Sequence, residues 1–228
     1  MCTLTWSHPK EGGLEVWFNR DEKKTRPIAD PPALRELNGV TFLSPRDPQG
    51  GGTWMLANEF GLVVCLLNKW ELDTRSTPGC RKSRGQLVWQ MGAAKSLDDL
   101  ASFLTDLENY PGFTLIGISP EGKCGWEWNG ETLSEVELTQ PLMSSSYCFE
   151  DVKKAREDAF SAWVGGEDYH ASTGEESTAF TVRMNRPDAQ TWSRSYLKLG
   201  ESIEWEYLAE QLDLAGEPER SLLSLPRK

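Results

Sequence analysis

Short stretches of this chain alternate between apolar and polar residues, which is the pattern of half-buried β-strands. Residues 2–7 alternate in this way, and so do residues 14–19 after a turn that contains Gly12 and Gly13. Two alternating stretches separated by a glycine turn predict a β-hairpin. This hairpin would bring residue 2 beside residues 19–21.

The rest of the chain contains further strand patterns and several helical ones. Apolar or alternating runs predict strands at 53–57, 62–68, 113–119, 124–128, 132–138, 178–184 and 191–199. Apolar residues at helical spacing predict helices at 86–94, 96–107 and 150–163, and residues 203–212 have the pattern of a strand followed by a helix. Residues 23–52 contain several prolines and three consecutive glycines, so they predict a loop.

The order of these elements predicts the fold class. No repeat and no linker rich in Gly or Ser divides the 228 residues, so we expect one domain over residues 1–228. Strands, then helices, then strands predict an α+β fold with two packed sheets and helices outside them. Ten Trp residues and a hydrophobic content of 38% suffice for a substantial core.

Charge and hydropathy exclude several classes of protein. The chain has 35 acidic and 24 basic side chains, a net charge of −11, which argues against nonspecific binding of nucleic acid. The longest apolar run, residues 62–67, is far shorter than a membrane span. The N-terminus lacks a signal pattern and the five cysteines follow no known spacing, so we expect a cytoplasmic protein without an integral membrane segment.

Histidine is scarce, which narrows the chemistry further. His8 and His170 are the two histidines of the sequence, and the cysteines form no C-x-x-C pair. Zinc sites are usually built from such pairs and from histidine clusters, so we expect no metal site and no required cofactor. A Ser-His-Asp triad would need one of these two histidines as its base.

Cys2 has the clearest chemical meaning. If the initiator Met is removed, a thiol and a free α-amine belong to the same residue. The pKa of such an amine is about 7.7–8.0 and that of a thiol about 8.5, so the amine can accept the thiol proton near neutral pH. Cys2 would then supply nucleophile and base without any histidine. The alternative is a small apolar residue that begins a strand.

Polar side chains end two of the predicted strands. Arg20 could bind a thiolate or a substrate carboxylate through its planar guanidinium, and Asp21 could hold the α-ammonium of residue 2. Asn68 follows a long apolar run, where its amide could donate to a developing oxyanion. The alternatives are a solvated turn with a surface ion pair for Arg20 and Asp21, and a turn asparagine for Asn68.

Two further motifs could contribute to a pocket. The glycine run before Thr53 lacks the Gly-Lys-Ser/Thr ending of a phosphate loop, so it indicates close backbone approach instead. Trp54 comes directly afterwards and either lines a pocket or fills the core. The serines at 144–146 offer hydroxyl groups to a ligand, and their alternative is an ordinary loop.

Several motifs together resemble one known family. They are Met1-Cys2-Thr3-Leu4, Asn19-Arg20-Asp21-Glu22, Arg26-Pro27, Gly51-Gly52-Thr53-Trp54, Leu67-Asn68 and Ser83-Arg84-Gly85. In this order they resemble the NRDE family, also called the transport and Golgi organization protein 2 family. The resemblance implies an N-terminal-nucleophile hydrolase fold, a four-layer αββα sandwich. It also implies kinship with choloylglycine and penicillin acylases, which cleave amide bonds.

The resemblance also implies roles for particular residues. Cys2 would be nucleophile and base, Arg20 and Asp21 its supporting pair, and Asn68 an oxyanion donor. The acylases have a second pocket asparagine in the region where this chain has the serines at 144–146. Loss of one oxyanion donor can cost roughly 10²–10³ in rate, so this difference bears on whether hydrolysis is retained.

Three functions are compatible with these features. The first is a cysteine amidohydrolase acting on the amide bond of a small amphipathic substrate. The second is a noncatalytic carrier of haem, lipid or acyl-CoA, because the family is linked to haem trafficking and lipid metabolism. In the carrier, Arg20 would meet a propionate, and Cys2 or His8 would ligate iron. Its apolar walls would be Trp6, Trp17, Trp54 and Trp70. Ser145 and Ser146 would contact the ligand in both the hydrolase and the carrier. The third function is an interaction module with a vestigial cleft.

Overall fold

The computed structural model describes residues 2–70, 82–163, 168–173, 178–210 and 218–228. Within these residues the strands form two antiparallel sheets. Sheet I has the order β10-β1-β2-β11-β12-β13, and sheet II has the order β3-β4-β5-β6-β7-β8-β9. The strands of sheet I are β1 (Cys2–Ser7), β2 (Leu14–Lys23), β10 (Leu142–Ser144), β11 (Ala189–Leu199), β12 (Ser202–Ala209) and β13 (Glu219–Pro226). Those of sheet II are β3 (Asp30–Leu37), β4 (Val40–Arg46), β5 (Met55–Asn58), β6 (Val63–Asn68), β7 (Phe113–Ser119), β8 (Gly122–Trp128) and β9 (Leu133–Glu135).

Helical segments cover the outer faces of both sheets. The α-helices are α1 (Arg84–Gln90), α2 (Phe149–Ser161) and α3 (Asp168–Ala171). Three 3₁₀ turns at Met91–Ala93, Asp98–Phe103 and Leu107–Asn109 join α1 on the outer face of sheet II. Helices α2 and α3 lie on sheet I, where Arg156 and His170 bond to the hydroxyl groups of Thr3 and Thr5.

Side-chain alternation in the strands divides the core into two layers. On β1, Leu4 and Trp6 point toward sheet II and pack with Val63 and Cys65 of β6. On β6, the intervening Val64 instead packs with the helical segments over the outer face of sheet II. Each sheet is thus buried on both faces, which requires helices outside both sheets. This arrangement confirms the predicted four-layer αββα sandwich.

The loop predicted at 23–52 is wrong, because it contains strands β3 and β4. Proline is tolerated where a strand lies at the edge of a sheet or where pairing is irregular. β3 is an edge strand of sheet II, and its register shifts between Asp30 and Ala33, the positions that flank its two prolines. The prolines therefore sit where they remove little pairing.

Two other predicted elements differ from the structure. The helix predicted at 96–107 is instead two 3₁₀ turns, and the chain turns away at Asp106, whose φ is 52°. The strand predicted at 178–184 is a series of bends, in which the Thr181 hydroxyl donates to the carbonyl of Thr178 at 2.9 Å. Such local bonds compete with strand pairing. The helix predicted at the end of 203–212 lies partly outside the described residues, and strand β13 was not predicted.

Candidate active site

The predicted N-terminal hairpin is confirmed, and its register determines which residues surround Cys2. β1 lies between β10 and β2, so that Cys2 is opposite Ser144 on one side and Arg20 on the other. Cys2 and Arg20 belong to the set of side chains that face sheet II, whereas Thr3 and Asp21 face α2. Cys2 is the first strand residue, which places its thiol at one end of the sandwich.

The Cys2 side chain is buried and reaches only 8% of its maximal exposure. Burial raises the pKa of the Cys2 thiol above its usual value, and the positive amino terminus opposes that rise. The Asp21 carboxylate raises this pKa as well, whereas the Asp21 backbone N–H, which donates to the thiol, and the Arg20 charge lower it. The thiol is therefore mainly protonated at neutral pH, and a reaction at its sulfur needs a base.

Arg20 forms the next wall of the site. Its guanidinium lies 4.3 Å from the ring centroid of Trp54, a cation–π contact, and its side chain is 6% exposed. Glu22 is 3.8 Å from the same guanidinium. The stacked ring fixes the plane of the guanidinium, so that Arg20 presents a rigid cation beside the Cys2 thiol.

Asp21 belongs to a buried polar network on the other face of sheet I. Its carboxylate accepts a hydrogen bond from the Thr191 hydroxyl at 2.7 Å and one from the Arg156 guanidinium at 3.3 Å. Arg156 also donates to the hydroxyl of Thr3, the residue after Cys2, and the side chains of Asp21 and Arg156 are fully buried. The network joins α2 to the two strands that hold Cys2 and Arg20.

Sequence reasoning did not assign Arg156 to this site. The residue lies one helical turn after the buried Val152, on the face of α2 that packs against sheet I. A charged residue on the apolar face of an amphipathic helix is rarely buried without a partner. This position was the signal in the sequence that a buried acidic partner exists.

A cavity of about 420 Å³ opens at this end of the sandwich. The structure brings Cys2, Arg20, Asp21, Trp54 and Asn68 together on its walls. Asn68 is the last residue of β6 and is partly exposed to the cavity. Cys2, Arg20 and Asn68 thus share one cavity with Trp54, and Asp21 adjoins the cavity while its carboxylate faces α2.

The glycine motifs explain how this cavity is closed on one side. A Cβ atom at Gly52 would lie 2.1 Å from the backbone of Gly85, so no side chain fits at this position. The Thr53 N–H donates to the Gly85 carbonyl at 3.0 Å. The Gly-Gly-Thr-Trp and Ser-Arg-Gly motifs therefore contact each other through their backbones. This contact holds the segment that places Trp54 beside Arg20.

The serines at 144–146 divide between two cavities, because Ser144 and Ser145 line one of about 230 Å³ and Ser146 lines another. Ser144 is opposite Cys2, and its buried hydroxyl makes no hydrogen bond with the described residues. The Ser145 hydroxyl donates to the Tyr147 carbonyl at 2.6 Å and lines a neighbouring cavity of about 230 Å³. Ser146 is exposed and lines a third cavity of about 630 Å³. Neither Ser145 nor Ser146 lines the cavity that contains Cys2.

The two histidines lie away from the cavity. His8 is exposed beyond the far end of β1, with Nε2 3.4 Å from the Ser119 carbonyl, and the six residue steps from Cys2 to His8 span roughly 20 Å. His170 is buried between Thr5 and Asn19, and burial lowers its pKa to about 3. Neither imidazole reaches Cys2, and among the described residues no cluster of three metal-ligating side chains occurs.

The αββα layers, with a cysteine that begins an interior strand of one sheet, define a protein of the N-terminal-nucleophile hydrolase fold. The family described as Transport and Golgi organisation 2 matches residues 1–208. The chain belongs to this family. A comparison with curated proteins finds no match.

Solved structures agree with the fold. The mutant C2A of the conjugated bile acid hydrolase from Clostridium perfringens has a TM-score of 0.56 at 12% identity, covering 99% of this chain and 92% of that chain. A second variant of that hydrolase gives 0.54 at 12% identity, with coverages of 99% and 92%. The Caenorhabditis elegans N-acylethanolamine-hydrolyzing acid amidase orthologue gives 0.59 at 8% identity, with coverages of 86% and 92%. Helices of the described residues are all too short or too polar to cross a membrane.

Proposed function

We propose that this protein is a cysteine amidohydrolase that cleaves the C–N bond of a small amphipathic amide. The observation that carries the proposal is the position of the Cys2 thiol, in one cavity with Arg20 and Asn68. Because no imidazole of a described residue lines this cavity, the base is the α-amine of Cys2 itself, freed by removal of Met1.

The first half of the reaction forms a thioester. The Cys2 α-amine accepts the thiol proton, and the thiolate attacks the amide carbonyl carbon to form a tetrahedral oxyanion. The Asn68 side-chain amide and a backbone N–H of the cavity wall donate to this oxyanion. The intermediate collapses with cleavage of the C–N bond, and the α-ammonium returns the proton to the leaving amine.

The second half hydrolyses the thioester. The α-amine accepts a proton from water as the water oxygen attacks the thioester carbonyl carbon. Collapse of the second tetrahedral intermediate breaks the C–S bond, releases the carboxylic acid, and returns the proton to the Cys2 sulfur. Arg20 stabilises the thiolate by its charge, and Asp21 orients the α-ammonium. Carboxylate oxygens accept more than one hydrogen bond each, so the contacts of Asp21 with Thr191 and Arg156 are compatible with this role.

The choice of amide bonds has support from the fold relatives. Two of them are described as hydrolases of conjugated bile acids and of N-acylethanolamines. Identities of 12% and 8% carry the fold alone, so the reaction rests on the geometry around Cys2. We expect the substrate to be an N-acyl amide, with an apolar acyl group and a polar amine part.

The first test addresses the mature N-terminus and the base together. Intact-mass measurement of the purified protein should show that Met1 is absent. Fusion of a short peptide to the N-terminus keeps the thiol of Cys2 but converts its α-amine to an amide. We expect this fusion to lose roughly 10²–10⁴ of the hydrolysis rate on a panel of N-acyl amides, because the general base is gone.

Two variants serve as comparisons for this test. Cys2→Ala should abolish turnover, whereas Cys124→Ala, which removes a half-buried thiol outside the cavity, should retain it. Full activity of the N-terminal fusion, or retention of Met1 in an active protein, would refute the α-amine mechanism.

A carrier of haem or a similar amphipathic ligand is our second proposal, favoured by the aromatic walls that Trp54 and Trp70 form in the same cavity. Arg20 would meet a ligand carboxylate, and Cys2 would be the iron ligand, since His8 lies at the far end of β1. Titration with haem should then give an absorbance band that Cys2→Ala removes and His8→Ala retains. An unchanged band in the double variant would exclude both residues as ligands.

A further inference from the structure

Three cavities of the described residues meet at Trp70. This side chain lines the cavity of Cys2, the cavity of Ser145 and the larger cavity of about 630 Å³ that contains Ser146. Lys23, at the end of β2, lines both the cavity of Cys2 and the larger one. A ligand that extends from the Cys2 thiol into the larger cavity would therefore pass between Trp70 and Lys23.

The larger cavity has aromatic walls that water can reach. Tyr147 and Phe180 are 46% and 41% exposed, and their rings make an edge contact with centroids 6.3 Å apart. The Arg186 guanidinium lies 5.4 Å from the Tyr147 ring centroid and is held by the carboxylate of Asp188. We call Tyr147, Phe180 and Arg186 the aromatic annex. Large aromatic side chains exposed beside a cavity are typical of ligand-binding surfaces.

The charges at the junction indicate the polarity of the ligand. Arg186 is neutralised by Asp188, whereas the Lys23 ammonium makes no ion pair with a described residue. An ammonium between two cavities that has no acidic partner among the described residues remains available to an anionic ligand. A single ammonium is a point charge that can pair with a carboxylate, without the two-point geometry that an arginine fork offers to phosphate groups.

We propose that the aromatic annex binds the apolar part of the substrate, and that Lys23 binds a carboxylate of the same molecule. The substrate class is thus a carboxylate-bearing N-acyl amide with a long or aromatic apolar group. This inference rests on the proposed amidohydrolase function, because it assigns the substrate of the same cavity. The aromatic annex selects for length and hydrophobicity, and Lys23 selects for the acid over its neutral ester.

Binding can be measured apart from catalysis in the Cys2→Ala protein. The probe is dansylaminoundecanoic acid, a fluorescent long-chain carboxylate, and the comparison ligand is its methyl ester. We expect Phe180→Ser to weaken the binding of both by about 5–10-fold, since it removes apolar contact area. Lys23→Gln should weaken binding of the acid by about 3–5-fold and leave the ester unchanged, because an exposed ion pair contributes modestly.

Two matched variants test whether these effects are local. Leu222→Ser removes an apolar side chain that is 70% exposed on β13, and Lys95→Gln removes an exposed lysine outside the three cavities. Both should bind acid and ester as the parent does. Equal losses in these variants, absence of probe binding by the parent, or an ester effect of Lys23→Gln equal to the acid effect would each overturn the proposal.

The same substitutions, made in the protein that retains Cys2, separate this proposal from the proposed function. On long and short N-acyl amides, Phe180→Ser should raise KM for the long substrate only. If the probe binds as expected but no amide is hydrolysed, the annex is supported and the hydrolase function fails. If amides are hydrolysed and Phe180→Ser leaves KM unchanged for long substrates, the annex assignment fails and the hydrolase stands.

Discussion

At the scale of single residues, the chemistry depends on how Arg20 offsets the environment of Cys2. Burial raises the pKa of the Cys2 thiol, and the positive charge of Arg20 is one of the influences that lower it. The guanidinium cannot move far because it stacks on Trp54 at 4.3 Å. Arg20 therefore offsets part of the rise that burial causes in the pKa of this thiol.

Substitution of Arg20→Gln should make the thiolate harder to form. We expect a fall of about 10–100-fold in kcat/KM near neutral pH, and an alkaline shift of the rising limb of the pH–rate profile, because the thiol pKa increases when the cation is lost. The rate of alkylation of Cys2 by iodoacetamide, followed by mass spectrometry across pH, measures the same shift. Arg220→Gln, an exposed arginine on β13 paired with Glu206, should change neither profile. A pH profile identical to that of the unmodified protein would show that Arg20 does not act on the thiol.

At the scale of secondary-structure elements, one buried ion pair fastens α2 to the catalytic strands. Arg156 and Asp21 are 135 positions apart in the chain, and both side chains are fully buried. The Tyr169 hydroxyl donates to the Arg156 carbonyl at 3.1 Å, which ties α3 to the same point. Removing one partner from such a pair leaves a buried charge without compensation.

Arg156→Met should lower the free energy of unfolding by about 3–5 kcal/mol, measured by urea denaturation, because the Asp21 carboxylate stays buried. The double variant Arg156→Met, Asp21→Asn should recover part of that loss, since neither charge remains. Lys153→Met, on the half-exposed face of the same helix, should change the stability by less than about 0.5 kcal/mol. Equal losses for Lys153→Met and Arg156→Met would mean that the ion pair is not the cause.

At the scale of the whole molecule, sequence patterns predict what is local and miss what is assembled from distant segments. The hairpin of β1 and β2 was predictable because it needs one alternation and one glycine turn, and it already places Arg20 opposite Cys2. The cavity also needs Asn68 from sheet II and the contact of Gly52 with Gly85, which no local pattern encodes. β3 was missed because its prolines are tolerated at a sheet edge, which topology alone reveals.

A buried, neutral histidine, His170, also joins α3 to sheet I. His170 Nδ1–H donates to Asn19 Oδ1, and its Nε2 accepts from the Thr5 hydroxyl, both at 2.8 Å. Asn19 in turn donates to the carbonyls of His170 and Val182. Burial is the largest cause that lowers the pKa of His170 to about 3, and the charges of Arg194 and Arg156 add to it.

This histidine should make the stability of the whole fold depend on pH. In the unfolded chain its pKa is 6.5, so between pH 6.5 and about pH 3 the unfolded state binds a proton that the folded state does not. The part of the folding stability that depends on neutral His170 is therefore fully present above pH 6.5. It is lost as pH falls, by up to about 1.4 kcal/mol per pH unit. Urea unfolding from about pH 7 to about pH 5 measures the slope.

The variant His170→Asn isolates this contribution. Asparagine keeps a donor toward Asn19 but cannot be protonated, so the variant should be less stable near neutral pH by about 1–2 kcal/mol and should lose stability less steeply with acid. The exposed His8→Asn is the matched comparison and should keep the slope of the unmodified protein. Other titrating carboxylates contribute equally to all three proteins, so the difference in slope belongs to His170. If His170→Asn retained the full dependence of unfolding free energy on pH, the loss of stability in acid would have another cause. The hydrogen bonds of neutral His170 between α3 and sheet I would then not be what makes this fold acid-sensitive.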